Sequence, residues 1–291
     1  MSEARQRIPQ QSIPVAFGFE DQWKAFGERH SEFFSRVHNL TELLHKAYLI
    51  QSTKTGTEAV VVFVMGRVCC EEFYEIMTTA ANGYGLAALR LLRGLYERAV
   101  TMLYLCDHPG EVDAFMEYYH VAQYKMLKAI QDTFGPDTIK KEAVEEAEQD
   151  YARVKGKFMV TQCKDCGTER MNHAWHKLDV VSMAKQTPLG KLIVPAYYVP
   201  MSHAHTTVRS VLARIEETGE HGMSFNPDAQ PKEADWAFRF AHVILLEVVR
   251  THINYFELGE AVEELYKTCI EDYKAIWGTK EPNNMDEAVK A

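Results

Sequence analysis

The chain has 291 residues, 46% hydrophobic and 25% charged, with a formal net charge of -9. That is globular composition with length enough for a large core; the acidic balance excludes a broad nucleic-acid-binding face but leaves a local basic pocket open. MSEARQRIPQQ carries no apolar run behind its charges, Ala59–Met65 is too short to span a bilayer, and four charges interrupt Gly85–Leu105, so neither a signal peptide nor a membrane partner is expected.

Residues 1–17 read as a flexible polar arm. Glu20–Gln51 has helical periodicity, with Trp23, Phe26, Phe33, Phe34, Val37, Leu40, Leu43, Leu44 and Tyr48 recurring mostly three and four apart. Thr55–Ala81 is a second, more apolar helix. Asn82-Gly83-Tyr84-Gly85 is a turn, and the helix after it stops near Asp107-His108-Pro109-Gly110. Glu111 to Phe134 and Asp137–Lys155 are further helices, Gly156–Arg170 is irregular, and Leu178–Lys185 is a short helix. Pro200–Glu217 reads as one helix with Pro in its first turn, Gly219–Pro231 as a loop, and Glu233–Leu258 as a long apolar helix that continues, with or without a break, to Trp277. No strand-like alternation, internal repeat or linker stands out. The expected fold is all-α: one elongated helical bundle over residues 18–277 with added short helices and loops, and a flexible tail at 278–291. Cys69, Cys70, Cys106 and Cys269 fall in helical patterns, which suits reduced thiols and a cytoplasmic protein.

The most informative stretch is GLAALRLLRGLYERAVTMLYL, Gly85–Leu105. Arg90, Arg93 and Glu97 stand at i, i+3 and i+7, one narrow stripe on a helix that is apolar nearly all round. Such a helix is expected to be buried, so the charges need partners. Glu97 is expected to pair with Arg93 or Arg90, and breaking a buried pair costs about 3–5 kcal/mol. The matching polar face is on YYVPMSHAHTTVR, Tyr197–Arg209, where Ser202 and His205 are i, i+3, Thr206 and Arg209 lie close and His203 points elsewhere. Arg90, Arg93, Glu97, Ser202 and His205 form the candidate cluster, read either as a register-fixing network or as an anion pocket in which the arginines bind phosphate and His205 is acid or base.

LLRGLYE (Leu91–Glu97) followed by YYVPMSHAH (Tyr197–His205) resembles a widespread bacterial all-helical family of unknown function, grouped with HEPN-like domains. Its hallmark is Leu-Leu-Arg-x3-Glu on one helix and Ser-x2-His on a later one, matched here by Arg93, Glu97, Ser202 and His205. The resemblance implies RNA or nucleotide binding through a local pocket, in stress or phage defence. HEPN nucleases carry Arg-x4-6-His with a polar residue after the arginine. Arg170-x5-His176 and Arg214-x6-His221 have Met171 and Ile215 there instead, and Gly219 interrupts the second, so neither supports cleavage.

Two metal patterns compete. Cys163-x2-Cys166 with His173 and His176 has partial zinc-ligand spacing. Glu42-x2-His45 and Glu117-x2-His120, with Glu72 and Glu97, evoke a di-iron bundle, though in the wrong chain order. No cofactor is called for, since phosphate-cradle and nucleophile-elbow motifs are missing from the sequence. The alternatives to ligand binding are a non-catalytic helical scaffold and a metal-binding bundle enzyme; whether the chain is an enzyme, and whether it forms a homodimer, stays open.

Overall fold

The computed structural model describes residues 19–49, 54–162, 166–205, 207–218 and 222–278. The N-terminal arm, Cys163, Thr206, His221 and nearly all of the C-terminal tail lie outside them.

Most described residues are helical, as expected. The long first helix is two, α1 (Glu20–Arg29) and α2 (Ser31–Leu49), with the break at His30. Its imidazole Nε2 is 2.8 Å from Asp235, which also receives Arg29 at 3.0 Å. This junction with a distant helix overrides the apolar pattern that runs through both segments.

α3 (Thr57–Ala81) and α4 (Gly85–Asp107) form a tight antiparallel pair. The turn between them needs Gly85, because a Cβ there would lie 2.1 Å from the Gln230 carbonyl oxygen. The gap is closed by α10 (Pro231–Phe256), which packs along both helices, while α11 (Glu260–Trp277) lies on α2. The bend between α10 and α11 uses Glu257 at φ 53° and Gly259 at φ 88°. Phe33, Phe73, Ile76, Leu89, Leu92, Tyr96 and Phe238 are fully buried at the centre.

α5 (Val112–Phe134) and α6 (Lys141–Val154) pack mainly on each other as an arm with its own small cluster of Val121, Val154 and Phe158. Two hairpins correct the expectation of no strands. β1 (Met159–Thr161) pairs antiparallel with β2 (Glu169–Met171), and β3 (Ile215–Thr218) with β4 (Gly222–Phe225). Strands this short leave no periodicity to read.

Between the hairpins lie α7 (Val180–Ala184), a 3₁₀ segment at Pro188–Leu192, a single π-helical turn at Val194–Tyr198, α8 (Val199–Ala204) and α9 (Val208–Leu212). The single helix expected over Pro200–Glu217 is therefore broken. His205 is extended at φ -105°, ψ 163°, and Thr207 starts a new helix by a reciprocal capping box with Ser210. Among the described residues, no helix is long and apolar enough to cross a membrane.

Candidate functional site

The site grows from one face of α4. Leu89, Leu92, Leu95, Tyr96, Ala99 and Val100 are buried, but Arg90, Arg93, Gly94, Glu97 and Arg98 are exposed or half-buried. The helix is thus apolar over most of its circumference and open over the remainder. This corrects the expectation that the charged stripe faces into the bundle: the apolar residues are enough to bury three sides, and the fourth lies in a valley between α3 and α8.

Arg93 is the hub. Its Nε donates to Glu97 Oε1 at 2.7 Å and its Nη1 to His205 Nε2 at 2.7 Å. A guanidinium only donates, so Nε2 accepts and the imidazole carries its proton on Nδ1. The guanidinium carbon also sits 5.1 Å from the centre of the Tyr197 ring, a cation–π contact. The π-helical turn presents that ring, and it is braced by Trp236, whose indole donates to the Pro195 carbonyl at 3.0 Å.

The break after Ala204 delivers His205 to Arg93. The hydroxyl of Thr207 donates to the Ser202 carbonyl at 2.5 Å, folding the chain back over the end of α8. Arg90 Nε donates to the carbonyl of His203 at 3.0 Å, placing a cation at the negative end of that helix. His203, expected to point away, is only 6% exposed, and among the described residues its Nδ1 has no partner. Burial holds its proton affinity below the usual histidine range, and the positive charges of Arg209 and Arg90 lower it further.

Of the five residues expected to meet, Arg93, Glu97 and His205 touch. Arg90 joins through the backbone of His203. The Ser202 hydroxyl donates to Val199 of its own helix at 2.7 Å, so its i, i+3 relation to His205 is lost with the helix break. Because the side chains of Arg93 and Glu97 are 21% and 36% exposed, their pair is worth roughly 0.3–1 kcal/mol, well short of the buried value.

The sequence reading missed two parts of the valley. Arg98 grips Glu72 of α3 with two bonds, Nε to Oε2 at 3.1 Å and Nη2 to Oε1 at 2.8 Å. Gly94 lies open between the flanks, with Glu72 Oε1 the nearest atom to a Cβ placed there, at 3.9 Å. A glycine inside a charged stripe on a strong helix was the available signal, since it costs about 1 kcal/mol against alanine.

Among the described residues neither metal pattern assembles, and Cys163 lies outside them. His176 is committed at both ring nitrogens: Nδ1 accepts from the Leu178 amide at 2.9 Å and Nε2 lies 2.7 Å from Glu111. Cys166 Sγ is 2.9 Å from the Thr168 hydroxyl, and His173 is exposed. Glu42 pairs with Lys46, Glu117 with Lys157 and Glu72 with Arg98, while His120 lies beside Asp150. No group of three or more His, Cys, Asp or Glu residues able to hold a metal ion occurs among the described residues. Arg170 is exposed on β2, and Arg214 holds the Asn226 and Asp228 carbonyls, a loop-bracing role.

No curated protein and no solved structure matches the chain. A family model, described as a family of unknown function (DUF5677), matches residues 59–223. That stretch runs from α3 to β4 and holds Arg90, Arg93, Glu97 and His205, as well as both flanks of the valley. With more than half of its length matched, the chain belongs to this family of unknown function, DUF5677.

Proposed function

We propose that the chain binds a phosphate-bearing ligand, RNA or a nucleotide, on the rim where α4 meets the end of α8, as a HEPN-like protein of stress or phage defence. The observation that carries the binding role is the 2.7 Å contact between Arg93 and an exposed His205. Among the described residues of the cluster, two arginines, Arg90 and Arg93, stand beside one carboxylate, Glu97. An anion entering between Arg93 and His205 gains charge-assisted bonds from the guanidinium. His205 is then the group placed to exchange a proton with the ligand. The resemblance alone supplies the defence setting.

A second reading, a scaffold, has its own observations: Arg90 braces the His203 carbonyl and Arg93 rests on Tyr197. Fluorescence anisotropy with a labelled single-stranded RNA, at low and at raised salt, separates the two. Ligand binding predicts salt-sensitive affinity and a loss of about tenfold in Arg93→Ala and His205→Ala, the scale of one charge-assisted bond. Affinity unchanged in both variants, or no binding by the parent chain, sinks the binding reading and leaves the scaffold.

A further inference from the structure

The valley over α4 has two flanks of opposite character. On the α8 side stand Arg90, Arg93 and His205. On the α3 side, Arg98 is neutralised by Glu72, and an open depression of about 430 Å³ lies between the helices, lined by Tyr74, Glu75, Thr78, Thr79 and Leu91. Its chemistry is not that of an anion site. Tyr74, whose hydroxyl is held by Thr41 of α2, offers an aromatic ring 38% exposed, Leu91 an apolar wall, the threonines hydroxyls, and Glu75 a carboxylate that accepts hydrogen bonds and repels negative charge. Tyr74, Glu75 and Thr78 are all exposed on the outer face of α3.

We propose that this depression is a nucleoside subsite, so that the ligand is a nucleotide unit lying across α4 with its phosphate at Arg93 and His205 and its sugar and base against α3; this rests on the phosphate reading of the rim. Three features carry it. The charge split orients any bound molecule, the cationic flank taking its anionic end and the Glu75 flank an uncharged end bearing hydroxyl or amino donors. The two flanks lie on either side of α4, and a helix with its side chains is about 10 Å across, comparable with the length of a mononucleotide. An exposed tyrosine ring beside an apolar wall is also the surface on which a base stacks.

Isothermal titration of the full chain with adenosine 5′-monophosphate and with inorganic phosphate tests the subsite. The nucleotide is expected to bind about tenfold more tightly than phosphate, one stacking or hydrogen-bonding contact's worth. Tyr74→Ala and Glu75→Ala are each expected to close most of that gap, leaving phosphate affinity and the far-ultraviolet dichroism as in the parent. Glu75→Ala changes an exposed side chain and keeps the test independent of folding. Equal affinity for both probes, with phosphate binding still lost in Arg93→Ala, overturns the nucleoside subsite and leaves the anion rim standing. Binding of neither probe overturns both.

Discussion

Around Phe238 of α10, the rings of Phe33, Phe26 and Phe73 close in at centroid distances of 4.7, 5.3 and 5.9 Å, and Trp277 completes the shell at 5.6 Å. Along the seam between α5 and α6, Tyr124 stacks on Tyr151 at 4.1 Å, and the surrounding bonds are ionic: Lys128 to Glu148 at 3.0 Å and Arg153 to Asp150 at 3.0 Å. Both regions are built from α-helices packed side by side. The first is held by apolar area removed from water, the second by a small cluster and by charge pairs that water and salt weaken. Helix content therefore says little about where stability resides; the number of faces each helix buries says more.

The largest expected effect tests the bundle side. Phe238→Ala should lower unfolding free energy by about 3–5 kcal/mol in chemical denaturation followed by dichroism, since it empties the centre of the ring cluster. A loss under roughly 1 kcal/mol would mean the core is not where the stability lies.

Acid should act next, and on the bundle first. Burial lowers His242 to about 3, and the Trp277 indole donates to its Nδ1 at 3.1 Å, which requires the neutral ring. Burial likewise lowers His252 to about 4, against a smaller raising effect of its bond to the Ala47 carbonyl. Unfolded histidine titrates near 6.5, so between that value and about 3 to 4 the unfolded chain binds more protons and stability falls as pH falls. By pH 4 the loss should be on the order of 3 kcal/mol for each histidine. Denaturation midpoints measured from pH 7 to pH 4 check this. His242→Gln should flatten the slope, and an unaltered slope in that variant would remove His242 from the account.

The smallest effect sharpens the arm. Glu148→Ala should cost at most about 1 kcal/mol. It should quicken amide exchange in α5 and α6 while α10 keeps its protection, because the arm opens as its own unit. Equal acceleration in α10 would show that arm and bundle unfold together.

The parts legible in the sequence were those decided by local pattern. α3 and α4 appear within two residues of their expected bounds, since a Gly-rich turn and a Pro-Gly breaker frame them. The meeting of Arg93 with Glu97 follows from i, i+4 spacing alone. The meeting with His205 was readable as a pairing of polar faces, but its geometry was not: His205 reaches Arg93 by leaving the helix, and the capping pair Thr207 and Ser210 that enforces the break was overlooked within a continuing amphipathic pattern. The openness of the stripe was missed for another reason. Counting apolar residues around a helix gives the buried arc and does not say whether a neighbour covers the rest. His30 illustrates the same limit, because its partner Asp235 lies far along the chain.

The position of α10 has a consequence for how the molecule reaches this state. α3 and α4 are adjacent in sequence and close as soon as both exist, yet their shared apolar groove is filled by a helix that begins at Pro231. Everything between Asp107 and Pro231, the arm, both hairpins and the residues that carry His205, is in folding terms one long loop whose ends must meet before the core is complete. Closing such a loop costs entropy that rises only slowly with its length, but it makes the decisive contacts distant ones, which slows their formation. A lengthened or shortened arm would therefore change stability little, while the segment carrying His205 is tied to α10 through the bond from Trp236 to the Pro195 carbonyl.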